Sequence, residues 1–157
     1  RRSEVRYVFV GDGKEKAALQ AQAVEKGLTN VLFLPPVPKK EMSAMLAMAD
    51  ACLAILKPIE MYKTTYPNKV FDYMAAGRPV LLAIDGVIRQ VVDDARAGIF
   101  VPPGDAHAMA ETMRYMAKNQ AEIKQMGLSG YQYVQEHFNR ARFTTRFEQL
   151  LWEMVEK

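Results

Sequence analysis

A proline, an amide, a lysine and a carboxylate fall within six residues of the stretch YPNKVFDYMAAGRPVLLAIDG, residues 66–86. Pro67 favours extended backbone before it and Asn68 is a common helix cap, so a helix is expected to begin near Lys69. Asp72 would then lie on the same helical face as Asn68. Free amides, a lysine and a carboxylate suit a ligand with a phosphate at one end and a diol at the other, as in a nucleoside diphosphate. A capped helix with solvated Lys69 and Asp72 remains an equal alternative.

A second candidate for anion binding is the loop in FVGDGKEKAAL, where Gly11 and Gly13 follow a predicted strand and precede a predicted helix. Glycines at this place let backbone amides approach a ligand and direct a helix N-terminus at an anion. Asp-Gly also forms simple turns, so a ligand loop and a plain turn stay equally open.

A third loop, FLPPVPKKEM, contains three prolines that stiffen the backbone after Leu34 without supplying hydrogen-bond donors. A rigid apolar ledge could hold a flat base. A proline-rich connection with Lys39 and Lys40 in solvent explains the composition equally well.

The elements that would position these loops alternate along the chain. Short apolar runs without polar alternation are typical of strands buried on both faces of a parallel sheet. Strands are predicted over Val5–Val10, Val31–Leu34, Ala51–Leu56, Val80–Ile84 and Ile99–Val101. Helices are predicted near residues 14–27, 40–49, 69–76, 87–97, 105–118, 120–137 and 140–156. This order predicts an α/β fold, with a Rossmann-like parallel sheet and helices on both faces.

Turn residues support these boundaries. Gly27 and Gly98 are expected to end helices in the left-handed conformation, and Asp105 is expected to cap the next helix. The last two helices, from about residue 120 onward, have no strand between them. We therefore expect them to pack outside the sheet or onto a neighbouring domain, through the apolar residues Phe138, Phe143, Phe147, Leu150, Leu151 and Met154.

Composition limits the function classes. The 157 residues are about half apolar and a quarter charged, with a net charge of +3, which argues against nucleic-acid binding. Cys52 is the only cysteine, so it is expected to be buried in a protein of a reducing compartment. The chain is predicted to be cytoplasmic, with weak contact to acidic lipid left open. His107 and His137 lack neighbours at ligand spacing, so no metal site is predicted.

The pieces VGDG, NVLFLPPV, MLAMADACLAIL, YPNKVFDYMAAGRPVLLAIDG and AGIFVPPGD occur in an order that resembles the C-terminal, donor-binding half of GT-B glycosyltransferases. The family is the retaining GT4 family, or glycosyl transferases group 1, and the bacterial surface-polysaccharide members are the most similar. The resemblance covers nearly the whole chain, and Pro67–Val80 is its most specific part. It implies transfer of a sugar from a nucleotide sugar, expected to be UDP-linked, to a saccharide or lipid-linked saccharide, without a metal or other cofactor.

The family pattern assigns roles near the first motif. Asp72 takes the place of the second glutamate of an E-x7-E motif, which holds the ribose hydroxyls. The first glutamate would fall at Thr64, so the donor sugar is expected near Thr64, Thr65 and Tyr66. Asn68 and Lys69 match positions near the diphosphate, and Lys69 would stabilise the leaving group. The remaining donor-binding positions are Gly11 and Gly13, facing the diphosphate, and Pro36 and Val37, contacting the base.

The resemblance also implies what lies outside the chain. Residues 1–157 would form a single nucleotide-sugar-binding domain, inactive without the N-terminal domain of the same polypeptide, which would supply the unassigned catalytic residues. The strands would be the second to sixth of a doubly wound sheet whose first strand lies at its centre, leaving a gap between Val5–Val10 and Ala51–Leu56. A sugar-nucleotide 2-epimerase and a noncatalytic nucleotide-binding module stay open as alternatives. A peripheral contact with the inner membrane face is also compatible with the family.

Overall fold

The computed structural model describes residues 5–155, apart from the side chains of residues 140–142. The strands are β1 Tyr7–Val10, β2 Val31–Leu34, β3 Cys52–Ile55, β4 Val80–Ala83 and β5 Gly98–Phe100. The helices are α1 Lys16–Glu25, α2 Met42–Ala47, α3 Asn68–Ala75, α4 Val87–Asp94, α5 Ala106–Lys118, α6 Gln120–His137 and α7 Arg140–Val155. Each predicted strand and helix is present, within a few residues of its expected ends. Two short 3-10 helices, Lys39–Glu41 and Glu60–Thr64, were not predicted as such.

The strands form two separate parallel sheets. β1 pairs with β2 from Tyr7 opposite Val31 to Val10 opposite Leu34. β4 lies between β3 and β5 in the second sheet. Among the described strands, β1 and β3 do not pair, so the expected gap between them is present. The fold is therefore α/β with parallel sheets flanked by helices, as predicted.

The hydrophobic core lies around the three-stranded sheet. All four residues of β4 are buried, because helices cover both faces of this strand. On one face the core contains residues of α3 and α4 with Ala54, Val80 and Leu82. On the other face Leu81 and Ala83 pack against Met116 of α5 and Ile123 of α6. This core is the rigid support on which the start of α3 is presented.

Helix α6 approaches the chain around α3 closely through two glycines. A Cβ atom on Gly127 would lie 2.2 Å from the carbonyl oxygen of Gly77. A Cβ atom on Gly130 would lie 2.9 Å from the Cβ of Ala97 and 3.3 Å from a side-chain carbon of Met74. The absence of side chains at both glycines therefore lets α6 hold α3 against the sheet.

The predicted turn residues behave differently from one another. Gly27 is left-handed, with φ of 61°, and the Asp105 carboxylate accepts a hydrogen bond from the Ala108 N–H at 2.8 Å, as expected. The prediction for Gly98 is wrong, because the left-handed residue after α4 is Arg96, with φ of 48°. Gly98 instead begins β5, where a Cβ atom would lie 1.9 Å from the carbonyl oxygen of Val80. Its small size serves strand packing rather than helix termination.

Helix α7 differs from α6 because its described side chains, residues 143–155, are all exposed. Its large apolar residues include Phe143, Phe147, Leu150, Leu151, Trp152 and Met154. Phe138, just before α7, does contact the domain: its ring centroid lies 4.8 Å from that of Phe71 in α3. Packing of the last helices onto a neighbouring domain thus stays a prediction for α7.

Candidate functional site

The start of α3 is an open helix end above the carboxyl end of β3. The Pro67 carbonyl accepts a hydrogen bond from the Val70 N–H at 3.0 Å, so the first turn closes one residue earlier than expected. The prediction that Asn68 caps the helix is therefore wrong: Asn68 is the first helical residue, and no side chain caps this end. The N–H groups of Asn68 and Lys69 consequently lack acceptors within the helix and carry the positive end of its dipole.

The side chains of α3 divide between core and solvent as their spacing predicts. Val70 and Met74 are fully buried, and Phe71 packs against the same core cluster. Lys69 and Asp72 are exposed on the other side. Within residues 5–155, their charged groups make no ion pair or hydrogen bond with the protein. A helix held firmly by its apolar face therefore presents an ammonium and a carboxylate that are available to a ligand.

The segment leading into α3 contains the three predicted sugar-side residues. The hydroxyls of Thr64 and Thr65 both donate to the Met61 carbonyl, at 3.1 and 3.3 Å. Tyr66 is exposed, and its ring centroid lies 6.5 Å from that of Phe71. The threonines thus stabilise the end of the 3-10 helix Glu60–Thr64, while the Tyr66 ring borders the open end of α3.

The glycine loop after β1 has satisfied amides. Gly11 has φ of 137°, and its N–H donates to the Leu34 carbonyl at 3.3 Å. The Gly13 N–H donates to the Asp12 carboxylate at 2.9 Å. The loop therefore has the simple Asp-Gly turn, one of the two alternatives that the sequence left open. A phosphate could accept a hydrogen bond from either amide only by displacing the Leu34 carbonyl or the Asp12 carboxylate. That both glycines face a diphosphate stays a prediction.

Lys16, at the start of α1, is a residue that the sequence analysis missed. Its half-buried ammonium donates to the Gly11 carbonyl at 2.7 Å and to the Leu34 carbonyl at 3.1 Å. It therefore joins the loop after β1 to the end of β2, directly before the proline ledge. The only sequence signal was a lysine in the first turn after a glycine loop.

The proline ledge begins where Lys16 contacts β2. Pro36 is exposed and Val37 is half-buried. Lys39 and Lys40 are exposed, as the simpler explanation of this loop expected. The ledge therefore offers an open apolar edge.

The predicted site residues thus form two groups, both at carboxyl ends of parallel strands, where ligands bind in open α/β sheets. The first group follows β1 and β2 and comprises Gly11, Gly13, Pro36 and Val37. The second lies above β3 and comprises Thr64, Thr65, Tyr66, Asn68, Lys69 and Asp72. Within residues 5–155, no hydrogen bond or ion pair joins the two groups, so each is positioned by its own sheet.

The loop after β4 borders the second group, although the sequence assigned it no role. Gly86 has φ of 97°, and a Cβ atom there would lie 2.1 Å from the Lys63 carbonyl oxygen. Only glycine therefore lets the start of α4 approach the 3-10 helix that ends at Thr64. Gly86 fixes the position of the threonine segment relative to the sheet.

An open cleft of about 500 Å³ lies at this contact. The Gly86 N–H and the Arg89 guanidinium hold the pKa of the Asp85 carboxyl below its ordinary value. Arg89 also pairs with Asp93 and stacks over the Phe100 ring, 3.9 Å from its centroid. A hydrogen bond from Lys63 to Glu60 raises the pKa of the Lys63 ammonium. These charges are paired with one another, which favours a structural role for the cleft.

Residues 5–155 contain neither a metal-binding cluster nor a membrane-spanning helix. No three His, Cys, Asp or Glu side chains in this part of the chain are grouped closely enough to hold a metal ion. None of its helices has the length and apolar character needed to cross a membrane.

Comparison with known proteins identifies the family. The family model described as glycosyl transferases group 1 matches residues 1–119. The chain belongs to this family. A D-rhamnosyltransferase, WbpZ, of Pseudomonas aeruginosa is 26% identical over 121 residues, which cover 76% of this chain and 31% of the relative. The O-antigen chain mannosyltransferase C of Escherichia coli is 20% identical over 156 residues, covering 99% of this chain and 41% of the relative. The chain thus spans less than half the length of these relatives.

Solved structures show the same fold. Sucrose-phosphate synthase from Thermosynechococcus elongatus superposes with a TM-score of 0.79 and 21% identity, covering 95% of this chain and 38% of that protein. Anabaena HepE, in complex with UDP-glucose, superposes with a TM-score of 0.79 and 18% identity, covering 95% of this chain and 41% of that protein. The fold is therefore the Rossmann-like α/β fold found in GT-B glycosyltransferases, as the sequence predicted.

Proposed function

We propose that this chain is the donor-binding half of a retaining glycosyltransferase that uses a UDP-linked nucleotide sugar to extend a surface polysaccharide. The observation that carries the proposal is the open N-terminus of α3. It places two free backbone N–H groups and the Lys69 ammonium one turn from the Asp72 carboxylate, in a chain of the glycosyl transferases group 1 family. The acceptor would be a saccharide or a lipid-linked saccharide at the cytoplasmic membrane face.

The chemistry of this arrangement matches the two polar parts of a nucleoside diphosphate. The helix dipole and Lys69 favour the diphosphate, whereas Asp72 can accept hydrogen bonds from both hydroxyls of a ribose. Negative charge grows on the diphosphate as the bond to the anomeric carbon breaks. Fixed donors at the helix terminus would stabilise that charge more in the transition state than in the bound donor.

The names of relatives support the substrate class. The two relatives above are a D-rhamnosyltransferase and an O-antigen chain mannosyltransferase. The structural neighbour HepE was solved with UDP-glucose. The two site groups could contact one donor, with the ledge at Pro36 against the base and the segment from Thr64 to Tyr66 against the sugar.

Transfer also requires a second domain, which we place upstream of residue 1 in the same polypeptide. A cleft closed between two domains excludes water and completes the site, so residues 1–157 by themselves should be inactive. The proposed site binds the diphosphate with N–H groups and an ammonium, so no metal is required for binding.

The test compares donor use by variants of the full-length protein. Asp72→Ala should lower transfer from the nucleotide sugar by roughly 10- to 100-fold, because a charge-assisted hydrogen bond contributes about 1.5–3 kcal/mol. Asp72→Asn should retain part of the binding. Lys69→Ala should lower kcat more than it raises KM, since the leaving-group charge develops in the transition state. Asp94→Ala, which removes an exposed carboxylate at the end of α4, is the matched control.

Two outcomes would contradict the proposal. A large fall in melting temperature for Asp72→Ala, with normal activity in the folded protein, would make Asp72 a structural helix residue. The second outcome comes from calorimetry with UDP and GDP, with and without EDTA. Nucleotide binding that strictly depends on a metal would exclude a site built on the α3 terminus. Conversion of UDP-N-acetylglucosamine without acceptor would instead favour the 2-epimerase.

A further inference from the structure

Three aromatic rings form a row from the end of α6 to the segment that leads into α3. The Phe138 ring centroid lies 4.8 Å from that of Phe71, and the two rings are tilted by 56°. The Phe71 centroid lies 6.5 Å from that of Tyr66, with a tilt of 40°. Tilted rings at these separations attract one another beyond the apolar area that they bury. The aromatic row of Tyr66, Phe71 and Phe138 is therefore a continuous packed contact.

Helix α6 fixes the outer member of the aromatic row. Gly127 of α6 approaches the Gly77 carbonyl, just after α3 ends. Phe138, which follows α6, contacts Phe71 in the first half of α3. The two helices therefore run antiparallel, and the end of α6 lies beside the start of α3. The Phe138 N–H donates to the Val134 carbonyl at 2.9 Å, which holds Phe138 at the end of its helix.

Phe138 is not what anchors α3 in the protein. Val70 and Met74 are fully buried and hold the helix on the sheet, and Phe71 packs against the same core cluster. Phe138 lies outside this cluster and is 38% exposed. Loss of its side chain should therefore leave α3 in place, while removing the support on the outer side of the Phe71 ring.

Tyr66 depends on the aromatic row because it lies outside the helix. It precedes the first residue of α3 and is 55% exposed. Within residues 5–155, its hydroxyl makes no hydrogen bond with the protein, and Phe71 is the aromatic ring that contacts it. The orientation of the Tyr66 ring thus depends on where the Phe71 ring lies.

We propose that Phe138 is a positioning residue that holds the Tyr66 ring, through Phe71, in the orientation in which it contacts the donor sugar. This inference rests on the proposed function, which places Tyr66 on the sugar side of the donor. The C–H groups on one face of a sugar can pack against an aromatic ring. A ring that is already held in place loses less conformational freedom when the sugar binds, so affinity for the sugar part of the donor increases.

Calorimetry with the full-length protein tests this role, with UDP and UDP-glucose as the two ligands. Phe138→Ala should weaken UDP-glucose binding by about 3- to 10-fold, the contribution of one aromatic pair, and should change UDP binding by less than about twofold. Phe138→Tyr keeps the ring and should retain both affinities. Tyr131→Ala is the matched control, because Tyr131 is an aromatic residue of α6 outside the row, with a similar exposure of 44%.

A double-mutant cycle shows whether Phe138 acts through Tyr66. Tyr66→Ala should weaken UDP-glucose binding at least as much as Phe138→Ala does. Adding Phe138→Ala to Tyr66→Ala should then change UDP-glucose binding by less than about twofold, since residues of one network are not additive. Additive losses would overturn the proposal. Equal weakening of UDP and UDP-glucose by Phe138→Ala would also overturn it, because Phe138 would then support α3 as a whole.

Failure of the proposed function would give a different result. If Asp72→Ala leaves UDP binding unchanged, the donor site does not lie at the start of α3, and the role of Phe138 is wrong with it. If Asp72→Ala weakens UDP binding while Phe138→Ala behaves as Tyr131→Ala does, the donor site is retained and only the positioning role of Phe138 is wrong.

Discussion

The two sheets of this protein are built from the same residue types but have different surroundings. Leu82 in β4 is fully buried, whereas Leu32 in β2 is 47% exposed. Both lie in apolar four-residue strands with parallel neighbours. The difference comes from the helices and strands around them, since β4 has a strand on each side and helices on both faces. Burial is thus a property of the assembled sheet and cannot be assigned to a strand from its composition.

The candidate site is likewise divided between the two sheets. Its β3 group lies on α3, which Val70 and Met74 anchor in the main core. Its β1–β2 group depends on loop hydrogen bonds and on Lys16. The first group is therefore preorganised by packing. The second is held less firmly, because β1, α1 and β2 contain no buried residue.

The largest expected effect comes from truncating one leucine in each sheet. Leu82→Ala should lower the free energy of unfolding of the 157-residue chain by about 2–5 kcal/mol, because it leaves a cavity in a closed core. Leu32→Ala should cost less than about 1 kcal/mol, since half of its side chain already contacts water. Urea unfolding of both variants measures the difference. Equal losses would show that the two sheets share one closed core.

Much of the fold could be predicted because its signals are local. Apolar runs bounded by turn residues gave the strands, and the spacing of Val70, Phe71 and Met74 gave the buried face of α3. The two wrong predictions, for Gly98 and Asn68, concern residues whose roles are each set by a single contact or hydrogen bond. Gly98 was assigned to a helix end because its contact with the Val80 carbonyl is invisible in the sequence. Asn68 was assigned as a cap, although closing the turn at Pro67 moves the helix start by one residue.

The site could be predicted only in part for the same reason. The helix-start residues are adjacent in sequence, so their grouping followed from one segment. Lys16 was missed because one of its acceptors, the Leu34 carbonyl, lies 18 residues away in the chain. Gly86 was left without a role because its contact is with Lys63, in the 3-10 helix Glu60–Thr64.

Alkaline pH should weaken the core around the three-stranded sheet. Burial raises the pKa of the Cys52 thiol from 9.0 to about 11, although Arg78 partly opposes the shift. Between these values the unfolded chain loses a proton that the folded chain keeps. The free energy of unfolding should therefore fall as pH rises from 9 to 11, by roughly 2 kcal/mol.

Cys52→Ala isolates this contribution. Burial also raises the pKa of Tyr73, from 10.0 to about 12, so its own effect begins only above pH 10. Urea midpoints between pH 8 and pH 10 should decline less steeply for Cys52→Ala than for the unchanged protein. Identical slopes in that range would show that the Cys52 thiolate forms as readily in the folded chain as in the unfolded chain.

The smallest expected effect concerns Lys16, which organises the less buried sheet. Lys16→Met keeps the apolar part of the side chain but removes the ammonium that donates to the Gly11 and Leu34 carbonyls. We expect a loss of about 1.5 kcal/mol in the free energy of unfolding, the lower end for a charged hydrogen bond, because the site is partly solvated. Lys14→Met, at an exposed position in the same loop, is the control and should change stability by less than about 0.5 kcal/mol.

The same pair of variants tests whether the loops after β1 and β2 contribute to nucleotide binding. If the loops after β1 and β2 contact the nucleotide, Lys16→Met should weaken nucleotide binding by the full-length protein, because the loop holding Gly11 is released from the ledge at Pro36. Lys14→Met should leave binding unchanged. Calorimetry with the nucleotide measures both. Destabilisation by Lys16→Met with unchanged affinity would restrict the donor site to the group above β3, on the helix that the main core supports.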